Sequence, residues 1–381
     1  MTSDELKSRL PLSAFAFRGY NVTNLGRSNE LLNHARYGSI VEEYLVQASA
    51  VCAEIMNRKT DLVERVRRKH ETTLRTYADA IALVVAMEMA QLRILDDCFG
   101  IKFKSAKMAF GYSLGEIAAL IAAGTLDMAE ALKIPLSLAR DCVKLANDVT
   151  LGVLFSRGPV LSLDSLKREC LLINNEGRGV IGISTILSPN SVLMLGQGDT
   201  LDRFKDRIDK VSPDRLYLRK NEHHWPPLHT PIAWEKNIPN RAAVLMHTMK
   251  GGFTAPEIPV FSLVTGKFSY NDMNAREILH HWTDHPQRLW EAVYETLLQG
   301  VQTVIHVGPQ PNIIPATFTR LRDNVEAQTR GSIRMRALSV AVSRPWLKAL
   351  LPERAALLRS LNLKQLNLED WLLENEPTAG R

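Results

Sequence analysis

Ser13–Phe17 (SAFAF) is a short apolar run closed by Arg18-Gly19, a pattern that predicts a buried strand entering a loop. From Asn29 to about Arg75 the composition is helical and polar. Ala78–Leu95 is rich in Ala, Leu and Met with few polar interruptions, which predicts a helix buried on most sides. Lys107–Phe110 predicts a short strand. It runs into Gly111-Tyr112-Ser113-Leu114-Gly115, followed at once by Glu116–Ala123 and a stop at Gly124. Strand, glycine-flanked turn and helix in direct succession make this the most informative stretch of the chain.

The rhythm changes over residues 151–222. Gly152–Phe155 reads as a strand and Asp164–Leu172 as a helix. Val180–Ser184 and Val192–Leu195 flank Ser188-Pro189-Asn190, a hairpin signal. Asp199–Val211 reads as a helix capped by Asp199 or Thr200, and Asp214–Leu218 as a last strand. The order β-α-β-β-α-β is that of a ferredoxin-like unit of the size of an inserted small domain. Beyond it, Ile258–Val264 and Thr303–Val307 predict strands, and Ala275–His281 and Leu289–Leu298 predict helices. Pro352–Leu361 and Asn367–Leu373 are short amphipathic helix candidates in a C-terminal helical appendage, 331–381.

Composition narrows the class. The 381 residues suit one large domain with an insert, or two domains. With 45% hydrophobic and 23% charged residues the chain has the mix of an ordinary globular protein. Ala80–Met87 is the longest charge-free run in its most apolar region, far below the ~20 residues a bilayer needs. The start, MTSDELKSRLPL, has no apolar core of a secretory signal. Cys52, Cys98, Cys142 and Cys170 are widely separated, so neither a disulfide framework nor a cysteine metal site is expected. A cytoplasmic monomer with no membrane association and no bound metal or cofactor is the expectation. The net charge of +6 permits an acidic partner without demanding nucleic acid. The densest basic run, Arg65, Arg67, Arg68 and Lys69, reads as a solvated helix face.

The candidate chemistry centres on Ser113. A serine hydroxyl becomes a nucleophile when it is held in the open and relieved of its proton. In G-x-S-x-G the serine sits on a tight strand-to-helix turn, where flanking glycines let the chain bend without side-chain clash. The amide of Leu114 would point toward an acyl oxygen, and the following helix N-terminus adds positive potential there. The general base must come from elsewhere. His223, His224 and His229 cluster after the small domain, His280, His281 and His285 form a second group, and His306 ends a strand. Spacing alone does not choose among them.

Gly111–Glu116 followed by IAALIAAGTLD resembles the nucleophile region of malonyl-CoA:acyl carrier protein transacylases and of the acyltransferase domains of polyketide and fatty acid synthases. The family pattern is G-H-S-x-G-E, an Ala-rich helix and a G-x-(L/I)-(D/S) stop. Phe15–Tyr20, Asn24–Arg27 and Glu30–Leu32 are similar to its first strand and loop. Thr76–Ala80 is similar to the start of its buried helix, and Leu228-His229-Thr230 to the site of its catalytic histidine. Ala255-Pro256, Ile258–Val260 and Thr265-Gly266 are similar to the strand that follows, and His306–Pro309 to its closing V-G-P-G. The matches keep their order from about residue 13 to 322.

The resemblance implies an α/β fold: an α/β-hydrolase-like large subdomain with a parallel central sheet (12–150 and 223–330) and an inserted ferredoxin-like small subdomain (151–222). It implies Ser113 as nucleophile and His229 as base. The backbone amides of Leu114 and Tyr20 would form the oxyanion hole, and the Trp282 carbonyl, placed by alignment on Pro286, would orient the histidine. It implies Arg140 as the ligand of a malonyl carboxylate, although Arg140 stands two residues out of the usual register. Tyr112 replaces the histidine beside the nucleophile, Tyr20 replaces the loop glutamine, and Leu228 precedes His229; Tyr112 and Leu228 are expected to contact substrate. The implied reaction is ping-pong transfer of an acyl group, malonyl first among candidates, from acyl-CoA to the phosphopantetheine thiol of an acyl carrier protein. The setting would be fatty acid or polyketide synthesis. Carrier proteins are acidic, which suits a basic enzyme. A non-catalytic acyltransferase-like interaction module and a serine thioesterase or hydrolase are the alternatives.

Overall fold

A computed structural model describes residues 1–157, 160–208, 215–329, 353–375 and 377. Among the described residues, ten strands form two sheets. In chain order they are β1 (Ser13–Phe17), β2 (Met108–Gly111), β3 (Val149–Ser156), β4 (Ile181–Ser188), β5 (Ser191–Gln197), β6 (Leu216–His224), β7 (Val260–Ser262), β8 (Lys267–Phe268), β9 (Thr303–Val307) and β10 (Lys364–Asn367).

The central sheet has the order β10-β9-β1-β2-β7-β8 and is parallel except for β8. All five residues of β1 are buried, as a continuous apolar run in the middle of a parallel sheet should be. Its register with β2 ends on Phe17 opposite Gly111, so the loops that leave both strands start side by side. Against this sheet lies the helix Tyr77–Phe99, buried from Tyr77 through Gln91. Its one acidic residue in the first turn, Asp79, is buried and paired with Arg58 and Arg65, so part of the basic run is committed to structure rather than solvated.

The second sheet has the order β4-β5-β3-β6, antiparallel throughout. Helices Leu163–Asn174 and Thr200–Asp206 complete the β-α-β-β-α-β succession, with the first strand central as in a ferredoxin-like unit. The far end of the helix expected over 199–211 and the first residue of the strand expected at 214 lie outside the described residues. The two sheets share a core: Leu187 and Leu193 of the small sheet pack with Met108, Phe110 and Phe261 of the large one and with Leu289 of the helix Leu289–Leu298.

One expectation is corrected. The segment after 331 is not simply a helical appendage. Lys364–Asn367 pairs in parallel with β9 as an edge strand of the central sheet, and the helix Leu368–Glu374 buries Trp371 and Leu372 against the core. Pairing satisfies the backbone groups that the edge of β9 would otherwise leave open. Residues 331–352 lie outside the described residues.

Candidate active site

Two glycines shape the turn after β2. A Cβ on Gly111 would lie 1.9 Å from the carbonyl oxygen of Gly115, and one on Gly115 would lie 2.3 Å from that of Phe17. No side chain fits at either position, so the turn closes tightly against the end of β1. Ser113 at its apex takes φ 56° and ψ −116°, a backbone conformation that L-residues avoid at a cost of about 1–3 kcal/mol. The strain is held by fixed neighbours: the Ser113 amide donates to Gln287 Oε1 at 3.0 Å, and Trp282 Nε1 donates to the Ser113 carbonyl at 2.8 Å. Glu116, in the first turn of the helix, is buried and accepts from Tyr270 Oη at 2.6 Å and from the Leu263 amide. Burial raises its pKa to about 7.

Ser113 Oγ lies 2.7 Å from His229 Nε2. The other ring nitrogen, Nδ1, lies 2.7 Å from the carbonyl oxygen of Trp282, and the His229 amide donates to the Thr283 carbonyl at 2.7 Å. A carbonyl can only accept, so Nδ1 carries the proton and Nε2 presents its lone pair to the serine. Burial lowers the His229 pKa to about 4 against the pull of the Trp282 carbonyl. The imidazole is therefore neutral at neutral pH, the form a base requires. Of the other candidate histidines, His306 Nε2 contacts Gln365 at 2.9 Å, and His223 and His224 stand exposed at the end of β6.

The helix Leu114–Ala122 begins directly after Ser113, so the Leu114 amide lies in its first turn, where no intrahelical acceptor exists. Gly19 packs so closely on the elbow that a Cβ there would lie 3.2 Å from Ser113 Cβ, which brings the Tyr20 amide beside the serine.

A cavity of about 370 Å³ opens above Ser113 and His229, between the two sheets. The large sheet's side contributes Tyr20, Tyr112 and Leu228, and the small sheet's side Leu151, Val153, Ser184, Leu193 and Leu195. The Tyr112 hydroxyl is spent on Thr185 Oγ1 at 2.8 Å, linking the two units, and burial raises its pKa to about 12.

Arg140 is corrected. It is exposed and donates to the carbonyl of Met56, the last residue of the helix Gly38–Met56, and it does not line the cavity. Two positions along a helix correspond to about 200° of rotation, so a register offset of two turns the side chain to the opposite face. Among the described residues lining the cavity no lysine or arginine is found; the polar groups that could meet a carboxylate there are neutral, including Asn21, Ser184 and Asn221.

Sequence reasoning missed Gln287. Fully buried, it fixes the Ser113 amide through its side chain and pairs with β4 through its backbone: its amide donates to the Ser184 carbonyl at 2.8 Å, and the Ile186 amide donates to its carbonyl at 2.9 Å. The only signal for it was its place directly after Pro286, the residue that located Trp282.

Fold and geometry together define an α/β protein with a serine on a strained strand-to-helix elbow and, beside it, a histidine held by main-chain carbonyls. No protein-family profile matches the chain. Its relatives and structural neighbours are malonyl-CoA:acyl carrier protein transacylases and polyketide synthase acyltransferase domains. The malonyl CoA-acyl carrier protein transacylase of Bacillus subtilis is 24% identical over 221 residues, 58% of this chain and 52% of that protein, so the match spans about half the relative's length. The Escherichia coli K12 protein of the same name is 25% identical over 316 residues, 82% of this chain and 94% of that one. Among solved structures, FabD from Acinetobacter baumannii superposes with TM-score 0.63 at 17% identity, covering 96% of this chain and 98% of that one. The malonyl-transacylase PlMCAT, solved with the type II polyketide acyl-carrier protein AntF, superposes with TM-score 0.60 at 19% identity over 80% of this chain and 91% of that one. These likenesses establish the α/β fold with its separate antiparallel unit.

Proposed function

We propose that the chain is an acyltransferase of fatty acid or polyketide synthesis, moving an acyl group from coenzyme A through Ser113 to the phosphopantetheine thiol of an acyl carrier protein. Malonyl is the group named for its relatives. The observation that carries the reading is the 2.7 Å Ser113–His229 pair, on a strained elbow at the floor of a cleft.

His229 Nε2 takes the serine proton as Oγ attacks the thioester carbonyl carbon. The carbonyl oxygen becomes negative between the amides of Leu114 and Tyr20, a type of stabilisation worth several kcal/mol. Collapse breaks the carbon–sulfur bond, and His229 returns its proton to the coenzyme A sulfur. In the second half the pantetheine thiol gives its proton to His229, its sulfur attacks the acyl-serine, and the proton returns to Ser113 Oγ as that bond breaks. The net change is exchange of one thiol for another. Tyr112, Leu228 and the strands of the small sheet contact the acyl group and the pantetheine arm. We further take the enzyme to act as a cytoplasmic monomer; among the described residues no helix is long and apolar enough to cross a membrane.

Intact mass after incubation with malonyl-CoA, acetyl-CoA and longer acyl-CoAs tests the reading. A single acyl adduct is expected on the wild-type chain and none on Ser113→Ala. An adduct that survives in Ser113→Ala, or no adduct from any donor, would overturn it.

A further inference from the structure

The turn that orients His229 carries a second arrangement of side chains, none of which lines the cleft. His281 is the last residue of the helix Ala275–His281. The His285 amide donates to the His281 carbonyl at 3.0 Å, so a helical turn continues to residue 285 and sets the two rings at i and i+4, with centroids 4.6 Å apart. Between them stands Asp284. One ligand atom from each of His281, Asp284 and His285 lies within 4.8 Å of the other two. Asp284 Oδ1 lies 2.8 Å from His285 Nδ1, and Oδ2 accepts from Trp234 Nε1 at 2.9 Å. All three are open to solvent in part, so an ion can reach them.

We propose that His281, Asp284 and His285 form a binding site for a divalent transition-metal ion of the zinc type. Two imidazoles and one carboxylate are a donor set that zinc accepts, with water in the fourth position. Histidines at i and i+4 on a helical turn present nitrogens to one point, the spacing used by helical zinc sites. The ion takes the place of the proton shared by Asp284 Oδ1 and His285 Nδ1. Two bonds of ~2.1 Å at a tetrahedral angle need their ligand atoms ~3.4 Å apart, so the 2.8 Å pair opens by well under 1 Å. Metal ligands bind in their deprotonated forms, so binding tightens as pH rises. Trp234 keeps its hold on Oδ2 and fixes the carboxylate from behind, the usual outer partner of a metal ligand.

The position gives the site a consequence. Trp282 and Thr283, whose carbonyls hold the ring and the amide of His229, lie between the proposed ligands in sequence. An ion there staples the turn that supports the base. Binding itself does not depend on the acyltransferase reading.

Chelator-stripped full-length protein titrated with Zn²⁺ by calorimetry, and with Co²⁺ followed by visible absorption, tests the site. One saturable site is expected, with the intense absorption of low-coordinate Co²⁺. His285→Ala and His281→Ala should each weaken binding by ~100-fold or more, and Trp234→Phe by ~10-fold. The His223→Ala/His224→Ala double variant should bind as wild type does. Absence of saturable binding, binding that survives both single alanine variants, or loss on replacing His223 and His224 would overturn the proposal. Circular dichroism of the exposed-site variant His285→Ala separates loss of a ligand from loss of fold.

Discussion

The two walls of the cleft are built by different means. On the side of the central sheet, the paired side chains are fixed by backbone: Ser113 by a strained turn that two glycines make possible, and His229 by two main-chain carbonyls. On the other side the small antiparallel sheet offers mainly aliphatic side chains, Leu151, Val153, Leu193 and Leu195. Backbone geometry changes little when side chains are substituted; aliphatic volume changes with every substitution. Under the proposed acyl transfer, reaction would belong to one wall and choice of acyl group to the other, with Gln287, bonded to both, holding them in register.

The largest effect expected from breaking the first wall is at His229. Removing a catalytic histidine costs on the order of a million-fold in subtilisin, and His229→Ala should lower the Ser113 acylation rate by ~10⁴-fold or more in a rapid-quench assay. The same wall sets the pH profile. Protonation removes the base, and burial has lowered its pKa to about 4. Acylation should stay level as pH falls from 8 through 6 and drop only on approach to about 4; a fall centred near 6.5 would show a solvated histidine at work. Next comes the link between the walls. Gln287→Ala removes the acceptor for the Ser113 amide, and a small misplacement of the nucleophile should cost ~10²-fold in kcat, with Ser113 still labelled by a fluorophosphonate. Substitution in the second wall should move preference rather than rate. Leu193→Ala should favour a longer apolar acyl-CoA over a shorter one by ~10-fold, the worth of about one methylene, read as a ratio of kcat/KM values. The smallest effect sharpens the comparison from outside it. Arg140 caps a helix away from both walls, so Arg140→Ala should leave the malonyl-to-acetyl ratio unchanged while lowering stability by ~1 kcal/mol in a urea titration.

What was legible in the sequence is what is encoded locally. The elbow could be read because glycine, serine and the following helix lie within a dozen residues, and the small sheet because its strands and helices follow one another with short turns. The family resemblance singled out His229, whose ring lies 2.7 Å from Ser113 Oγ. The residues that escaped depend on distant partners. Nothing near Gln287 in the chain shows that its side chain meets the amide of a residue 174 positions earlier. Lys364–Asn367 reads as a polar stretch with no strand periodicity, and it becomes a strand only because β9 offers an edge. Arg140 was misplaced because helix faces are sensitive to single-residue register, which a one-sequence comparison does not fix.

The strained conformation of Ser113 has a further consequence. A residue held at φ 56° lowers the stability of the whole chain, yet that conformation is what lifts the hydroxyl into the cleft. Under the proposed acyl transfer, thermal robustness and turnover are opposed at this position. Selection for survival at high temperature alone would relax the turn by admitting glycine, and only a requirement for product would keep the serine in place. The persistence of serine in lineages under both pressures would measure, in evolutionary terms, how much the reaction is worth to the cell.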